Sequence, residues 1–365
     1  MLDINARHRI AYFVSPHGFG HAARASAVMA ALHEIDPAFH FDIFTRVPRW
    51  FFDDSLRGAF TYHPLLTDIG LVQETALRED LAATVAALNR FLPFRPTLVR
   101  DCAAQVARLK CELVVCDIAP LGIAVARAAG IPSVLVENFT WDWIYRGYAR
   151  DEPRLRGAIA YLRGAFRSVD YYIQTEPVCR YGAADLTTAP ISRTPRLSRM
   201  ATREKLEILR AAKAVLITMG GIPGKYDFLR RLNEQRGVHF VIPGNGGSAR
   251  RESNLVLLPH HSEFYHPDLV NACDAVIGKL GYSTVAEVYH AGIPLGYVSR
   301  ARFRESPVMA RFVRRRMNGV AISEAQFLTG DWLRHLPDLL ALLRLHRREQ
   351  NGAAQAARFI AKLLA

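Results

Sequence analysis

Short apolar runs recur along the chain, and most end in glycine, proline or a carboxylate. Residues 10–14 read as a buried first strand. Residues 25–35 carry apolar positions at helical spacing, so the segment between them is a strand–turn–helix junction. Residues 39–45 predict a second strand and 46–51 a loop. Residues 73–110 predict polar-faced helix broken at Pro93 and Pro96. Residues 113–117 form a buried strand ending on Asp117. A helix over 123–129 stops at Gly130-Ile131-Pro132, and 133–136 and 170–174 are further strands.

The texture changes between 185 and 210, where Thr187-Thr188-Ala189-Pro190 and Arg193-Thr194-Pro195-Arg196 look like a connection between domains. The rhythm then restarts. Residues 214–218, 238–242, 255–258, 275–277 and 295–298 predict strands. The first four run into turns at 219–224, 243–247, 259–261 and 278–283. Strands alternating with helices predict an α/β chain with doubly wound parallel sheets. Ligands bind outside the carboxyl ends of such strands. The predicted division is 1–185, a linker over 186–212, a second Rossmann-like domain over 213–330, and an amphipathic helix over 331–365. That helix carries an apolar stripe of Leu333, Leu336, Leu339, Leu340 and Leu343.

A length of 365 residues suits two domains. Lys plus Arg number 47 against 34 Asp plus Glu, a formal net charge of +13 that favours anionic partners. No nucleic-acid-binding motif accompanies the charge, so no nucleic-acid partner is expected. The five cysteines form no C-x-x-C pair, which fits reduced thiols and a cytoplasmic protein. Residues 1–9 lack the apolar core of a signal peptide, and no apolar run reaches membrane-spanning length. A basic cluster, Arg344, Arg347 and Arg348, leaves open a peripheral contact with the inner face of a membrane, against the plainer reading of a solvated helix face.

The turn Ser15-Pro16-His17-Gly18-Phe19-Gly20-His21-Ala22-Ala23-Arg24 admits three readings. Gly18-x-Gly20-x-x-Ala23 fits a dinucleotide loop. Alternatively His21 faces an acceptor hydroxyl as a base. Or the glycines only make a tight turn and His21 packs locally. A dinucleotide loop calls for an acidic residue at the end of the second strand. That strand ends Thr45-Arg46 with Asp42 inside it, which weakens NAD and leaves NADP open. After the strand at 133–136 come Glu137, Asn138, Trp141, Asp142, Trp143 and Tyr145. Aromatic faces beside carboxylates and amides suit a sugar site, and the competing reading is that they plug the sheet end. At 278–284, Gly278 and Gly281 open the backbone, Ser283 and Thr284 are placed to cap a helix, and Lys279 adds charge beside free N–H groups suited to a diphosphate. Glu287 lies one turn on, on the same face, where a carboxylate can take both hydroxyls of a ribose; otherwise it is a solvated glutamate.

Gly18-Phe19-Gly20-His21-Ala22, and Gly281 to Glu287 followed by Ala291-Gly292-Ile293-Pro294, resemble the acceptor-side and donor-side motifs of GT-B-type glycosyltransferases, including the peptidoglycan N-acetylglucosaminyltransferase. Asn138-Phe139-Thr140-Trp141-Asp142-Trp143-Ile144-Tyr145 and Lys279-Leu280-Gly281-Tyr282-Ser283-Thr284 resemble the glycosyltransferase-like half of the L-arabinokinases. The resemblance covers most of residues 8–330 and implies two Rossmann-like domains facing across a cleft.

It implies further that His21 is a catalytic base oriented by Asp117, with Gly18, Gly20, Glu137, Asn138, Trp141 and Asp142 on the acceptor side. On the donor side it implies Gly220, Gly221, Lys279, Gly281, Ser283 and Thr284 near the diphosphate and Glu287 at the ribose. Glu263 and Phe264 fall at the nucleobase, and Arg304 and Glu305 at the sugar hydroxyls. The plant tryptophan–glutamine signature is absent. The implied reaction is inverting transfer from a nucleotide sugar, with a UDP-sugar as the expected donor, to a small-molecule or lipid-linked hydroxyl, with no metal and no cofactor. The chain ends at Ala365, so no sugar-kinase domain is expected. A nucleotide-sugar epimerase of the same fold, an NADP oxidoreductase and a non-catalytic nucleotide-sugar-binding protein are the alternatives.

Overall fold

A computed structural model describes residues 8–220, 226–244 and 247–365. The first half runs β1 (His8–Val14), α1 (Phe19–Ile35), β2 (Phe39–Thr45), α2 (Arg49–Ser55), β3 (Phe60–Pro64), α3 (Leu81–Phe91), α4 (Pro96–Arg108) and β4 (Leu113–Asp117). It continues with α5 (Pro120–Ala129), β5 (Ser133–Glu137), α6 (Trp141–Arg146), α7 (Leu155–Arg167), β6 (Tyr171–Thr175) and β7 (Leu186–Thr188). These strands make one parallel sheet of order β3-β2-β1-β4-β5-β6-β7.

After α8 (Arg199–Lys205) come β8 (Lys213–Thr218), α9 (Leu229–Asn233), β9 (Val238–Pro243), β10 (Arg250–Glu252), β11 (Leu255–Leu258), α10 (His266–Ala272) and β12 (Ala275–Lys279). Then follow α11 (Tyr282–Ala291), β13 (Leu295–Val298), α12 (Ser306–Arg316), β14 (Gly319–Ile322), α13 (Glu324–Thr329), α14 (Leu336–Ala341) and α15 (Gly352–Lys362). The second sheet has order β10-β11-β9-β8-β12-β13-β14, with only the β10–β11 pair antiparallel.

Both sheets are covered on both faces, which is why their central strands are continuous apolar runs. The helix α1 is apolar nearly all round because it is enclosed. It packs on the first sheet and against α15, whose Ala353, Ala356, Ala357 and Ile360 join the same core. The chain thus crosses back at its end and ties its last helix to the first sheet.

Several expectations change. The loop read over 46–51 gives way to α2, whose Phe51 and Phe52 are buried. Residues 73–80 are not helical. The strands β3 and β10 carry too little apolar character for a pattern to reveal them, and β14, though apolar, is only 4 residues long. The stretch read as a linker opens with β7, paired to β6, and contains α8. The single C-terminal helix is replaced by a 3-10 turn (Asp331–His335), α14, an extended segment and α15. Leu333, Leu336 and Leu339 are buried while Leu343 is 79% exposed, because Pro337 and the extended segment break the stripe. Of the basic cluster, Arg344 and Arg347 turn inward: their Nε groups donate to the carbonyls of Ala291 and Tyr289, at the end of α11. Only Arg348 is exposed, which removes most of the basic surface offered for a membrane.

Candidate active site

Each sheet reverses its order once near the centre, between β1 and β4 in the first and between β8 and β12 in the second. At such a point the chains leaving the two strands diverge to opposite faces and open a crevice. Val14 and Asp117 are register partners, as are Thr218 and Gly278, so each crevice is lined by the turns that follow.

In the first crevice, Gly18 has φ 75°, a conformation that favours glycine, and starts α1 with no side-chain cap. His21 stands in the first turn, its Nδ1 3.0 Å from Asp117 Oδ1. Arg24, one turn on and 1% exposed, donates from Nε and Nη2 to the two Asp117 oxygens at 2.8 and 2.7 Å, and from Nη1 to Asn138 Oδ1 at 2.8 Å. The carboxylate only accepts, so His21 Nδ1 carries the ring proton and Nε2 is the accepting nitrogen. Arg24 Nη2 also comes within 3.4 Å of Nδ1, but two donors make no bond. Burial alone would raise the Asp117 carboxyl. The charge of Arg24 and the hydrogen bonds from His21 and Arg24 outweigh it and hold Asp117 below the usual carboxylate range.

In the second crevice, Gly220 follows β8 with φ 72°. Its neighbour Gly221, predicted at the diphosphate, lies outside the described residues. The helix α11 starts at Gly281 without a side-chain cap. Ser283 and Thr284 therefore do not cap it, contrary to expectation, because they lie inside the first turn. That turn's N–H groups and the positive end of the helix dipole are left to the cleft. Lys279 precedes it, and its ammonium has no hydrogen bond or ion pair among the described residues. Burial, then the charge of Arg300, lowers its ammonium to about 7. Arg300 is 6% exposed, 4.0 Å from Glu305, and its Nε has no partner.

The two helix starts meet: a β-carbon on Gly20 would stand 3.6 Å from Ser283 Oγ. One cavity between them is lined by His17, His21, Lys279, Ser283, Arg300 and Glu305. Asn138 joins its walls, accepting from Arg24 and donating to Glu305 Oε1 at 2.7 Å. An adjoining cavity is lined by Trp50, Gly220, His261, Phe264, Thr284 and Glu287. Glu287 is no solvated glutamate. Its Oε1 faces Arg193 Nε at 3.0 Å and its Oε2 faces His266 Nδ1 at 2.8 Å. Burial would raise this carboxyl, and the charges of Arg193 and His266 override it and lower it.

Five predicted site residues are placed elsewhere. Glu137 is buried under the Tyr172 hydroxyl and the Gln174 amide. Trp141 is fully buried, stacked on Tyr145 and edge-on to His17. Asp142 accepts from Thr140 Oγ1 and pairs with Arg146. These three support the sheet end and line neither cleft cavity, because α6 turns the aromatic segment inward. Glu263 lines a separate groove beside Arg57 and Arg196. Arg304 stacks on Trp143, 4.2 Å from the ring centre, and donates to its carbonyl. Asp42 is held by Arg9 and His63, so it cannot serve the ribose of a dinucleotide.

Sequence reasoning missed Arg24, Arg300, Arg193 and His17. Arg24 left a trace: it is the one arginine in an alanine-rich helix, three residues after His21, on the same face. The His17 ring accepts from Leu71 N at Nδ1, and burial followed by the charge of Arg300 keeps it neutral.

The profile of Glycosyl transferase family 1 matches residues 8–337. The chain belongs to this family. It is 27% identical to L-arabinokinase of Arabidopsis thaliana over 98% of its own length, and spans about a third (35%) of that protein. Solved structures of similar fold include the glycotransferase of kitacinnamycin, with a TM-score of 0.65 and 15% identity over 98% of this chain and 99% of that one. Medicago truncatula UGT71G1, complexed with UDP-glucose, gives 0.58 and 13% identity over 100% and 95%. MurG of Acinetobacter baumannii gives 0.53 and 15% over 98% and 98%. The family member described here has the GT-B fold. No helix among its described residues is long and apolar enough to cross a membrane.

Proposed function

We propose that the chain transfers a sugar, with inversion, from a uridine diphosphate donor to a hydroxyl of a small-molecule or lipid-linked acceptor in the cytoplasm, without a metal ion. The observation that carries this reading is that His21, held by Asp117 behind it, and the uncapped start of α11 line one cavity. The acceptor hydroxyl gives its proton to His21 Nε2 as its oxygen attacks the anomeric carbon. The bond from that carbon to the diphosphate oxygen breaks, and its electron pair leaves with the diphosphate. Lys279, Arg300 and the first-turn N–H groups of α11 supply positive charge where the leaving oxygen turns negative. Asp117 fixes the imidazole tautomer and stabilises the imidazolium that forms. The nucleoside lies in the adjoining cavity, against Phe264 and the stacked rings of Trp50 and His261. The UDP-glucose complex of a structural neighbour supports the nucleotide, and glycosyl transferase family membership supports the reaction class.

The test is a panel of UDP-sugars offered with alcohol acceptors, the product anomer read by NMR. Inverted product that forms equally with and without a chelator is expected. Retained configuration would overturn the mechanism. Epimerised donor without transfer would make the chain an epimerase.

A further inference from the structure

Glu287 is already engaged by Arg193 and His266 where its position implies a ribose. A ribose diol held by one carboxylate needs two of its lone-pair positions. Arg193 Nε donates to Oε1 at 3.0 Å, with Nη2 at the same distance in the ion pair, and His266 Nδ1 stands 2.8 Å from Oε2. Oε2 keeps one open position, and the guanidinium crowds the second on Oε1.

Arg193 is not loosely placed. It comes from the segment joining the two sheets, and Nη1 donates to Ser55 Oγ at 3.2 Å. Its guanidinium lies between Phe51, 4.8 Å away on α2, and Tyr265, 5.1 Å away at the start of α10. It is 9% exposed and lines the nucleoside cavity together with Glu287 and Phe264. Two of its five N–H groups donate in these contacts, from Nε and Nη1, leaving one on Nη1 and the pair on Nη2 beside Glu287. A hydroxyl both donates and accepts. One that donates to the open position on Glu287 Oε2 can accept from Arg193 in the same geometry, and its neighbour on the sugar can accept another N–H.

We propose that the Arg193–Glu287 pair acts as one unit that reads the vicinal hydroxyls of a ribose, making Arg193 a specificity-determining residue that commits the donor to ribonucleoside rather than 2′-deoxyribonucleoside diphosphates. This rests on the reading of the cleft as a nucleotide-sugar site. A 2′-deoxy ligand leaves an Arg193 N–H and the Glu287 position buried without partners, a penalty larger than that of one solvated hydrogen bond. The diphosphate is held at α11 by other groups, so sugar discrimination and phosphate affinity separate.

The experiment measures, by calorimetry, the Kd of each of the four common ribonucleoside diphosphates against its 2′-deoxy counterpart, for the wild type, Arg193→Lys and Arg193→Met. Thermal unfolding checks that each variant is folded, and Arg193→Lys retains a charge opposite Glu287 should the methionine variant fail to fold. The wild type is expected to prefer its best ribonucleotide by about ten- to a hundredfold. In Arg193→Lys the ratio falls at least about fivefold, while affinity for the deoxy ligand changes little. A wild type with no preference, or a variant with the wild-type ratio, overturns the role of Arg193 and leaves the nucleotide site standing. A wild type that binds no nucleoside diphosphate overturns the functional reading itself, and this inference with it.

Discussion

The two crevices are built alike and do different things. Each lies at the order reversal of a seven-stranded sheet, each follows a central strand with a positive-φ glycine near its turn, and each opens on a helix with no side-chain cap. At the start of α1 the neighbouring strand ends on Asp117, and a histidine is held to it with Arg24 behind. At the start of α11 there is no carboxylate at the equivalent rim; Lys279 stands alone among the described residues and Arg300 lies across the cavity. Under the proposed function, the same local architecture yields a proton acceptor on one side and an anion seat on the other. The difference comes from what the adjacent strand delivers, not from the turn.

The sharpest way to break this comparison is to remove the proton acceptor. His21→Ala is expected to lower turnover about 10²–10⁴-fold and leave donor affinity nearly unchanged, as measured by steady-state rates and calorimetry. A large loss of donor affinity would mean that the two sides are not separate. On the other side, Lys279→Met is expected to lower turnover about 10²-fold and to weaken nucleoside diphosphate binding as well.

The Lys279 side also carries a pH signature. Its ammonium loses its proton near 7 in the empty cleft, well below the ordinary lysine range, and a bound diphosphate favours the charged form. Diphosphate affinity is therefore full below about pH 7 and weakens above it, by at most about tenfold per unit, as binding must take up a proton. Calorimetry in two buffers at pH 8 should register that uptake, and Lys279→Met should abolish it. Glu287→Gln is expected to weaken nucleotide binding by about 1–3 kcal/mol. It should also destabilise the fold by about 3–5 kcal/mol, since it leaves the buried Arg193 without its counter-charge; binding isotherms and denaturant unfolding measure the two. The smallest effect belongs to Asp142→Asn, which should leave turnover unchanged and cost about 1 kcal/mol of stability through its Thr140 and Arg146 contacts. A collapse of activity there would return the aromatic segment to the site.

The sequence alone announced the alternation of strands and helices and the two glycine-opened turns. Those follow from local patterns: an apolar run long enough for a buried strand and a turn that needs glycine. The pairing of His21 with Asp117 came from the family resemblance, and the strand end at Asp117 was compatible with it. The sequence also marked Asn138, Lys279, Glu287 and Glu305 as residues of interest. The aromatic segment at 139–145 splits, Phe139 lining the cavity and Trp141 to Tyr145 turning inward, because composition says that aromatics cluster but not which way they face.

Tertiary structure decided the rest. Arg24 finds Asp117 and Asn138 on two other strand ends, Arg300 comes to the cavity from beyond β13, and Arg193 reaches Glu287 from the inter-sheet segment. Each pairing joins residues far apart in the chain, so no periodicity records it. The orientation of α6, which buries Trp141 and takes Asp142 away from the cleft, was likewise fixed by the contact of Trp141 with His17 and of the Tyr145 hydroxyl with the Gly70 carbonyl. A strand pattern specifies where a side chain leaves the sheet. What it meets there depends on elements the same pattern cannot place, because burial of a charge is settled by the partner that neutralises it.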